Sequence, residues 1–211
     1  VPVEITHPRI DDYLRSLTPR PDAPREEMER LAAAQRFPII GPAVGQLCLV
    51  LARSVGARSV FECGSGFGYS TWWFAHAVGD GGRVHHTDGS LGNSMQARDF
   101  LTRAGLVSRV HFDVGDARAI LGRTQGPFDV IFNDIDKEGY PDVLPLVRAK
   151  LRVGGLFICD NMLWNGRVLA PPEDPDTKGI AGLTRLLLEA TDFATTIVPL
   201  RDGVSVSLRV G

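Results

Sequence analysis

The chain has little that would tie it to a membrane, a disulfide framework or a polyanion. No apolar run in its 211 residues approaches the ~20 needed to span a bilayer, and its start lacks the basic-then-apolar order of a secretory leader. Cysteine is scarce: Cys48, Cys63 and Cys159 are odd in number and form no Cys-x-x-Cys pair, so they read as buried thiols of a reducing cytoplasm. Charge of either sign is not in excess. The 23 Lys and Arg stand against 25 Asp and Glu, for a net charge of -2, which leaves no general field for nucleic acid or an acidic membrane. The expected partners are small molecules. Internal repeats and low-complexity tracts are missing too. What is present is a 44% hydrophobic content, enough for one domain with a large core, so residues 1–211 read as a single unit.

The N-terminal part predicts helices over Ile10 to Leu17 and Arg25 to Arg36, the latter charged and alanine-rich and therefore read as a surface helix. After the apolar turn Phe37-Pro38-Ile39-Ile40-Gly41-Pro42, a strongly apolar helix from about Val44 to Val55 is expected to be buried. From Ser59 onward strands and helices alternate. Strands are expected at Ser59–Glu62, Arg83–Asp88, Val110–Val114, Phe128–Asn133 and Leu156–Asp160. Helices are expected at Tyr69–Val78, Leu91–Ala104, Arg118–Leu121, Tyr140–Leu151 and Gly179–Ala190. Such alternation implies an α/β fold with a mostly parallel sheet and helices on both faces. The rhythm changes at the end, where Phe193–Leu200 and Val204–Val210 flank Arg201-Asp202-Gly203. Asp-Gly is a hairpin signal, so the last strand should run antiparallel to its partner.

Phe61-Glu62-Cys63-Gly64-Ser65-Gly66-Phe67-Gly68-Tyr69-Ser70 reads as strand, glycine-rich turn and helix start, with Gly64 and Gly66 allowing a ligand close to the main chain. Asp88 closes the next strand 20 residues beyond Gly68, with Gly89 behind it, a spacing that suits a carboxylate accepting bonds from ribose hydroxyls. Spacing alone leaves nicotinamide dinucleotides and S-adenosylmethionine both open. The third glycine comes one residue early for the dinucleotide pattern, and Glu62 would repel a pyrophosphate while tolerating a sulfonium cation, which favours the latter. Gly115-Asp116-Ala117, after the third strand, forms the next loop on the same edge and is placed to contact adenine; Asp116 also reads as a plain helix cap.

Two acidic clusters, Asp134-Ile135-Asp136-Lys137 and Asp160-Asn161, stand where apolar strands end. Carboxylate and amide oxygens delivered by two strand ends suit Mg²⁺, Mn²⁺ or Ca²⁺ rather than zinc. Singly, each residue has a plainer reading as a helix cap, a turn or a solvated lysine. His85 and His86 are strand neighbours facing opposite ways and cannot share one ion; with His76 and His111 they read as structural. Trp72 and Trp73 read as packing against the sheet. Trp164 follows the asparagine and offers a wall for an aromatic acceptor, with Arg167 placed for an acidic group on it.

From Phe37 to the C-terminus the chain resembles the cation-dependent O-methyltransferases of the catechol and caffeoyl-coenzyme A type. The matching residues are Gly45-Gln46, Glu62-x-Gly64, Gly68-Tyr69-Ser70, Asp134-x-Asp136-Lys137, Gly154-Gly155, Asp160-Asn161 and Asp202-Gly203. The resemblance implies a Rossmann-like, seven-stranded class I methyltransferase fold. It also implies S-adenosylmethionine contacts from Glu62, Ser70, Asp88, Ala117 and the main chain near Ile40. Gly64, Gly66, Gly89, Asp116 and Asp134 complete the expected cofactor wall. It implies further that Asp134, Asp160 and Asn161 hold the metal and that Lys137 is the base, with Asp136 outside the shell; Lys137, Asn161 and Trp164 then face the acceptor. Residues 1–43 are expected to contribute to the acceptor pocket, and a homodimer is expected by analogy. With no basic cluster for coenzyme A phosphates, a vicinal dihydroxy aromatic is favoured over a caffeoyl-coenzyme A-like acceptor. Two other classes remain open at this point: a short-chain nicotinamide oxidoreductase, for which no convincing Tyr-x-x-x-Lys pair is found, and a cofactor-binding module without turnover.

Overall fold

A computed structural model describes residues 5–211. Seven strands, β1 (Ser59–Cys63), β2 (Arg83–Asp88), β3 (Val110–Val114), β4 (Phe128–Asn133), β5 (Leu151–Cys159), β6 (Phe193–Val198) and β7 (Val204–Arg209), form one sheet in the order β3-β2-β1-β4-β5-β7-β6. The first five run parallel; β7 is antiparallel to both β5 and β6. The order reverses between β1 and β4. In a parallel sheet that reversal opens a crevice at the carboxyl ends of the strands, because the connections leave in opposite directions there.

The helices are α1 (Pro8–Leu17), α2 (Ala23–Gln35), α3 (Gly41–Ser54), α4 (Tyr69–Val78), α5 (Leu91–Arg103), α6 (Ala117–Arg123), α7 (Tyr140–Lys150) and α8 (Pro175–Glu189). Strand alternation divides the core into two layers. Val60, Val84, Val130, Phe132 and Ile158 pack under α2 to α5, while Phe61, Ile131, Phe157 and Cys159 pack under α6 to α8. The three cysteines are free and buried, and burial pushes their thiols well above the usual range, as expected of inert core groups. Among the described residues no helix is long and apolar enough to cross a membrane.

Four expectations need correcting. Helix α2 is not a surface helix: Met28 and Ala32 are buried, and so is Arg25. Its guanidinium lies 5.0 Å from the Trp72 ring centroid and 4.7 Å from that of Trp73, and it donates to the Pro19 carbonyl at 2.6 Å. A delocalised cation on two indole faces loses less by leaving water than an ammonium would. The two tryptophans thus pack against helix α2 and against α3, where a Cβ on Gly45 would fall 2.1 Å from the Trp73 ring nitrogen. Helix α3 begins at Gly41 and buries only one face, leaving Val50 exposed. Strand β5 starts at Leu151, five residues earlier than expected, because a register shift opposite Phe128 and Val130 accommodates Gly154-Gly155 inside the strand. In the hairpin, Pro199 and Leu200 leave β6, and Arg201 adopts φ 52°, so the connection is longer than the Asp-Gly signal suggests.

Candidate active site

A cavity of about 1090 Å³ opens over the carboxyl ends of β1 to β5. One end is built from main chain. Beyond β1, Gly64 has φ +81° and its missing side chain leaves room for β4: a Cβ there would stand 2.4 Å from the Asp134 carbonyl oxygen. The Asp134 amide donates to the Cys63 carbonyl at 2.8 Å, so glycine loop and acidic cluster are pinned together. Asp88 is drawn into the same loop. Its Oδ2 accepts from the Gly66 amide at 2.9 Å, and Oδ1 accepts from the Ser90 amide at 2.8 Å and Asn93 Nδ2 at 3.0 Å. Gly89, Ile40, Ser70 and Ala117 also line the cavity. Asp116 lines it as well and is at the same time the cap of α6, accepting from the Ala119 amide at 3.0 Å; Arg118 bonded beside it holds its carboxyl below the usual range.

Glu62 is not on the wall. It lies fully buried beneath the loop, with Oε2 accepting from Thr71 Oγ1 at 2.6 Å and Oε1 without a partner among the described residues. Burial pushes its carboxyl up to about 7. Thr71 also meets His86 at 3.1 Å, and burial lowers that imidazole to about 3, so it stays neutral. His86 is structural, as expected.

The other end is made of side chains. Asp134 and Asp160 leave the ends of β4 and β5, and the Asp160 amide donates to the Asn133 carbonyl at 3.2 Å, which fixes their spacing. Lys137 is only 12% exposed and donates to Asp134 Oδ1 at 2.6 Å and to the Ile135 carbonyl at 3.1 Å, so it is no solvated surface charge. Asp160 is buried, its carbonyl held by Tyr140 Oη at 2.9 Å, and its Oδ1 has no partner among the described residues. Burial, then the neighbouring Asp134, push the Asp160 carboxyl up to about 7; burial raises Asp134 too, against the pull of Lys137. A buried carboxylate with an unpaired oxygen, Asp160, and a partly buried one, Asp134, stand with the Asn161 amide on the cavity wall. The donors are all hard oxygens, and the local charge favours a divalent cation. Asp136 is exposed on the cavity rim.

Sequence reasoning did not foresee how Asn161 is aimed. It sits at φ 60°, and its Nδ2 donates to Asp202 Oδ2 at 3.3 Å, which assigns the amide oxygen to the free side. The Leu163 and Asn165 amides also donate to Asp202, to its carbonyl and to Oδ1 respectively. The Asp-Gly signal located this turn without revealing that it braces the loop carrying Asn161 and Trp164. Trp164 does wall the cavity, with Lys137 Nζ 6.0 Å from its ring centroid and its own Nε1 unpaired among the described residues. Arg167 is 57% exposed, near Asp174 and away from the lining. Arg201 was also missed: it lines the cavity and donates to the Ile39 carbonyl at 2.6 Å, tying the hairpin to the segment before α3.

A family model described as O-methyltransferase matches residues 25–210. Caffeoyl-CoA O-methyltransferase 3 of Nicotiana tabacum is 30% identical over 210 residues, covering 92% of this chain and 87% of its own. Among solved structures, an O-methyltransferase from Bacillus cereus in complex with SAH superposes with a TM-score of 0.87 at 29% identity, covering 95% of this chain and 97% of that one. The O-methyltransferase TomG from Streptomyces achromogenes, in complex with SAM, gives 0.89 at 26% identity, with 96% of each chain covered.

Proposed function

Because the chain belongs to the O-methyltransferase family and takes its methyl group from S-adenosylmethionine, we propose that it methylates one hydroxyl of a small vicinal dihydroxy aromatic with the help of a divalent cation. The nicotinamide oxidoreductase and the module without turnover are thereby set aside. The observation that carries the proposal is the convergence of Asp134, Asp160 and Asn161, with Lys137 2.6 Å from Asp134, on the cavity that the glycine loop also lines.

Asp134, Asp160 and the Asn161 amide oxygen would hold Mg²⁺, Mn²⁺ or Ca²⁺. Bound S-adenosylmethionine supplies an electrophilic methyl group, and the cation supplies a field that lowers the acceptor's phenol pKa from about 10 and orients it. Within the chain, Gly64 and Gly66 let the donor lie against main chain. Asp88 and Gly89 receive its ribose, Asp116 and Ala117 its adenine, and Ser70 with the main chain of Ile40 its amino-acid end. Glu62 acts from beneath, through Thr71 and the start of α4. Once Asp134 has another cationic partner, Lys137 would lose its own proton to solvent, and its neutral Nζ would then take the hydroxyl proton, while the Trp164 ring holds the acceptor's face. Close placement of the two reactants in one cavity then supplies much of the acceleration.

A small acceptor is favoured because the arginines on the wall are engaged. Arg118 pairs with Asp116 at 3.0 Å and Asp142 at 3.1 Å, and Arg201 is bonded to Ile39, which leaves a coenzyme A moiety without an obvious phosphate partner. The acceptor-side role expected of residues 1–43 is supported by its described part, since Ile5, Thr6, Asp11, Phe37 and Ile39 line the cavity. A homodimer is supported by α1, where Ile10, Tyr13 and Leu17 share one helical face and are all exposed. Buried reduced thiols support a cytoplasmic setting. The test is methyl transfer to catechol, phenol and a caffeoyl thioester at saturating Mg²⁺. Transfer to catechol but not to phenol is expected, and equal rates on both would overturn the vicinal-hydroxyl reading.

A further inference from the structure

We propose a second metal site, separate from the acidic cluster, formed by His85, His111 and Asp113 on the outer strands of the sheet and suited to a borderline ion such as Zn²⁺. Along one strand, His85 and His86 do face opposite ways. The relevant partner is across the sheet: the parallel register sets His85 of β2 beside His111 of β3, and Asp113, two residues on, returns to the same face. One ligand atom from each of the three residues lies within 4.8 Å of the others. His111 Nε2 and Asp113 Oδ2 are 3.3 Å apart, about the ~3.3 Å edge of a tetrahedron with zinc-ligand bonds of roughly 2.0–2.1 Å. The His85 and His111 ring centroids are 5.2 Å apart, so a small movement of the exposed His111 ring would close the set.

The His85 ring is held in place and uncommitted. It stacks on Phe61 at 5.8 Å and meets Phe128 edge-on at 5.4 Å, while its Nδ1 is shut off from solvent without a partner among the described residues. A metal ligand needs such an uncommitted ring nitrogen with its lone pair free. Arg83, on the same strand, is turned to the Ser108 carbonyl, to which it donates at 3.4 Å. Two imidazoles and one carboxylate select borderline ions over Mg²⁺, the opposite of the oxygen-only preference at Asp134, Asp160 and Asn161. Exposure of His111 leaves the remaining positions to water. Such an ion would tie the edge strand β3 to β2, three residues before Asp88 and two before Gly115, both on the cavity wall.

The test is calorimetric titration of ZnCl₂ into the full chain, without a histidine tag and at saturating Mg²⁺, using wild type, Asp160→Ala, His111→Ala and Asp113→Asn. Circular dichroism checks that each variant is folded. Co²⁺ is the spectroscopic probe. One equivalent of Zn²⁺ is expected in wild type and in Asp160→Ala. Affinity should fall at least tenfold in His111→Ala and Asp113→Asn, with loss of the visible Co²⁺ bands. In wild type, Zn²⁺ at a hundredfold excess over its Kd should raise Tm by roughly 5–10 °C. Zinc binding that is unchanged in His111→Ala, or that disappears in Asp160→Ala, would overturn the proposal.

Discussion

The two ends of the cavity satisfy their polar groups differently. At the glycine-loop end the wall is closed: Asp88 accepts two main-chain bonds and one from Asn93 Nδ2, and Asp116 caps a helix, with the unpaired Glu62 Oε1 lying beneath the wall rather than on it. At the acidic end, Asp160 Oδ1 and Trp164 Nε1 are shut off from water and unpaired among the described residues, and Asp134 is neutralised by Lys137. The first end is preorganised without a ligand. The second is costly as it stands, because a buried carboxylate with a free oxygen carries its desolvation cost uncompensated. That contrast suits their proposed tasks: one receives a whole cofactor by shape, the other needs a cation before it can handle an acceptor.

The largest effect that would break this contrast is expected from Asp160→Ala. On the present account methyl transfer falls about 10²–10³-fold, as for loss of several kcal/mol of cation-derived stabilisation, while the metal-free protein is no less stable than wild type. Steady-state rates beside thermal melts in chelator check both halves. Lys137→Met comes next, with kcat down roughly 10²-fold or more and the Kd for S-adenosylmethionine unchanged, since the lysine belongs only to the acceptor end. A parallel loss of cofactor affinity would show that the two ends are not separate. The smallest effect is expected from Asp202→Ala. Asp202 orients Asn161 and, by accepting from the Asn165 amide, braces the loop that carries Trp164, so half-saturation by Mg²⁺ should rise about 10-fold while kcat at saturating Mg²⁺ falls by no more than roughly 3-fold.

The same contrast explains what was legible in the sequence. Strand alternation, the glycine loop and the acidic strand ends are local patterns, and a mostly parallel sheet with its ligand groups at the strand ends followed from them. The Asp-Gly turn was visible for the same reason, whereas its bracing of Asn161 was not, because it joins residues 41 apart. Arg25 between two tryptophans and His85 beside His111 escaped likewise, since each depends on which elements become neighbours. Glu62 shows another limit: its position before the glycines was clear, but only the fold places it under the cavity floor.

Completion of the acidic end by a cation shows in the melting of metal-free protein from pH 5 to pH 8 with and without Mg²⁺. Asp160, raised to about 7 from a usual carboxylate value, binds more protons folded than unfolded between those values. Its stabilising protonation is therefore complete at low pH and lost as pH rises through about 7. Glu62, also raised to about 7, adds to the same trend. Metal-free Tm should fall across this range, and Mg²⁺ should restore it at pH 8, where Asp160 is ionised, far more than at pH 5. A Tm at pH 8 indifferent to Mg²⁺, together with full methyl transfer in chelator, would contradict the account.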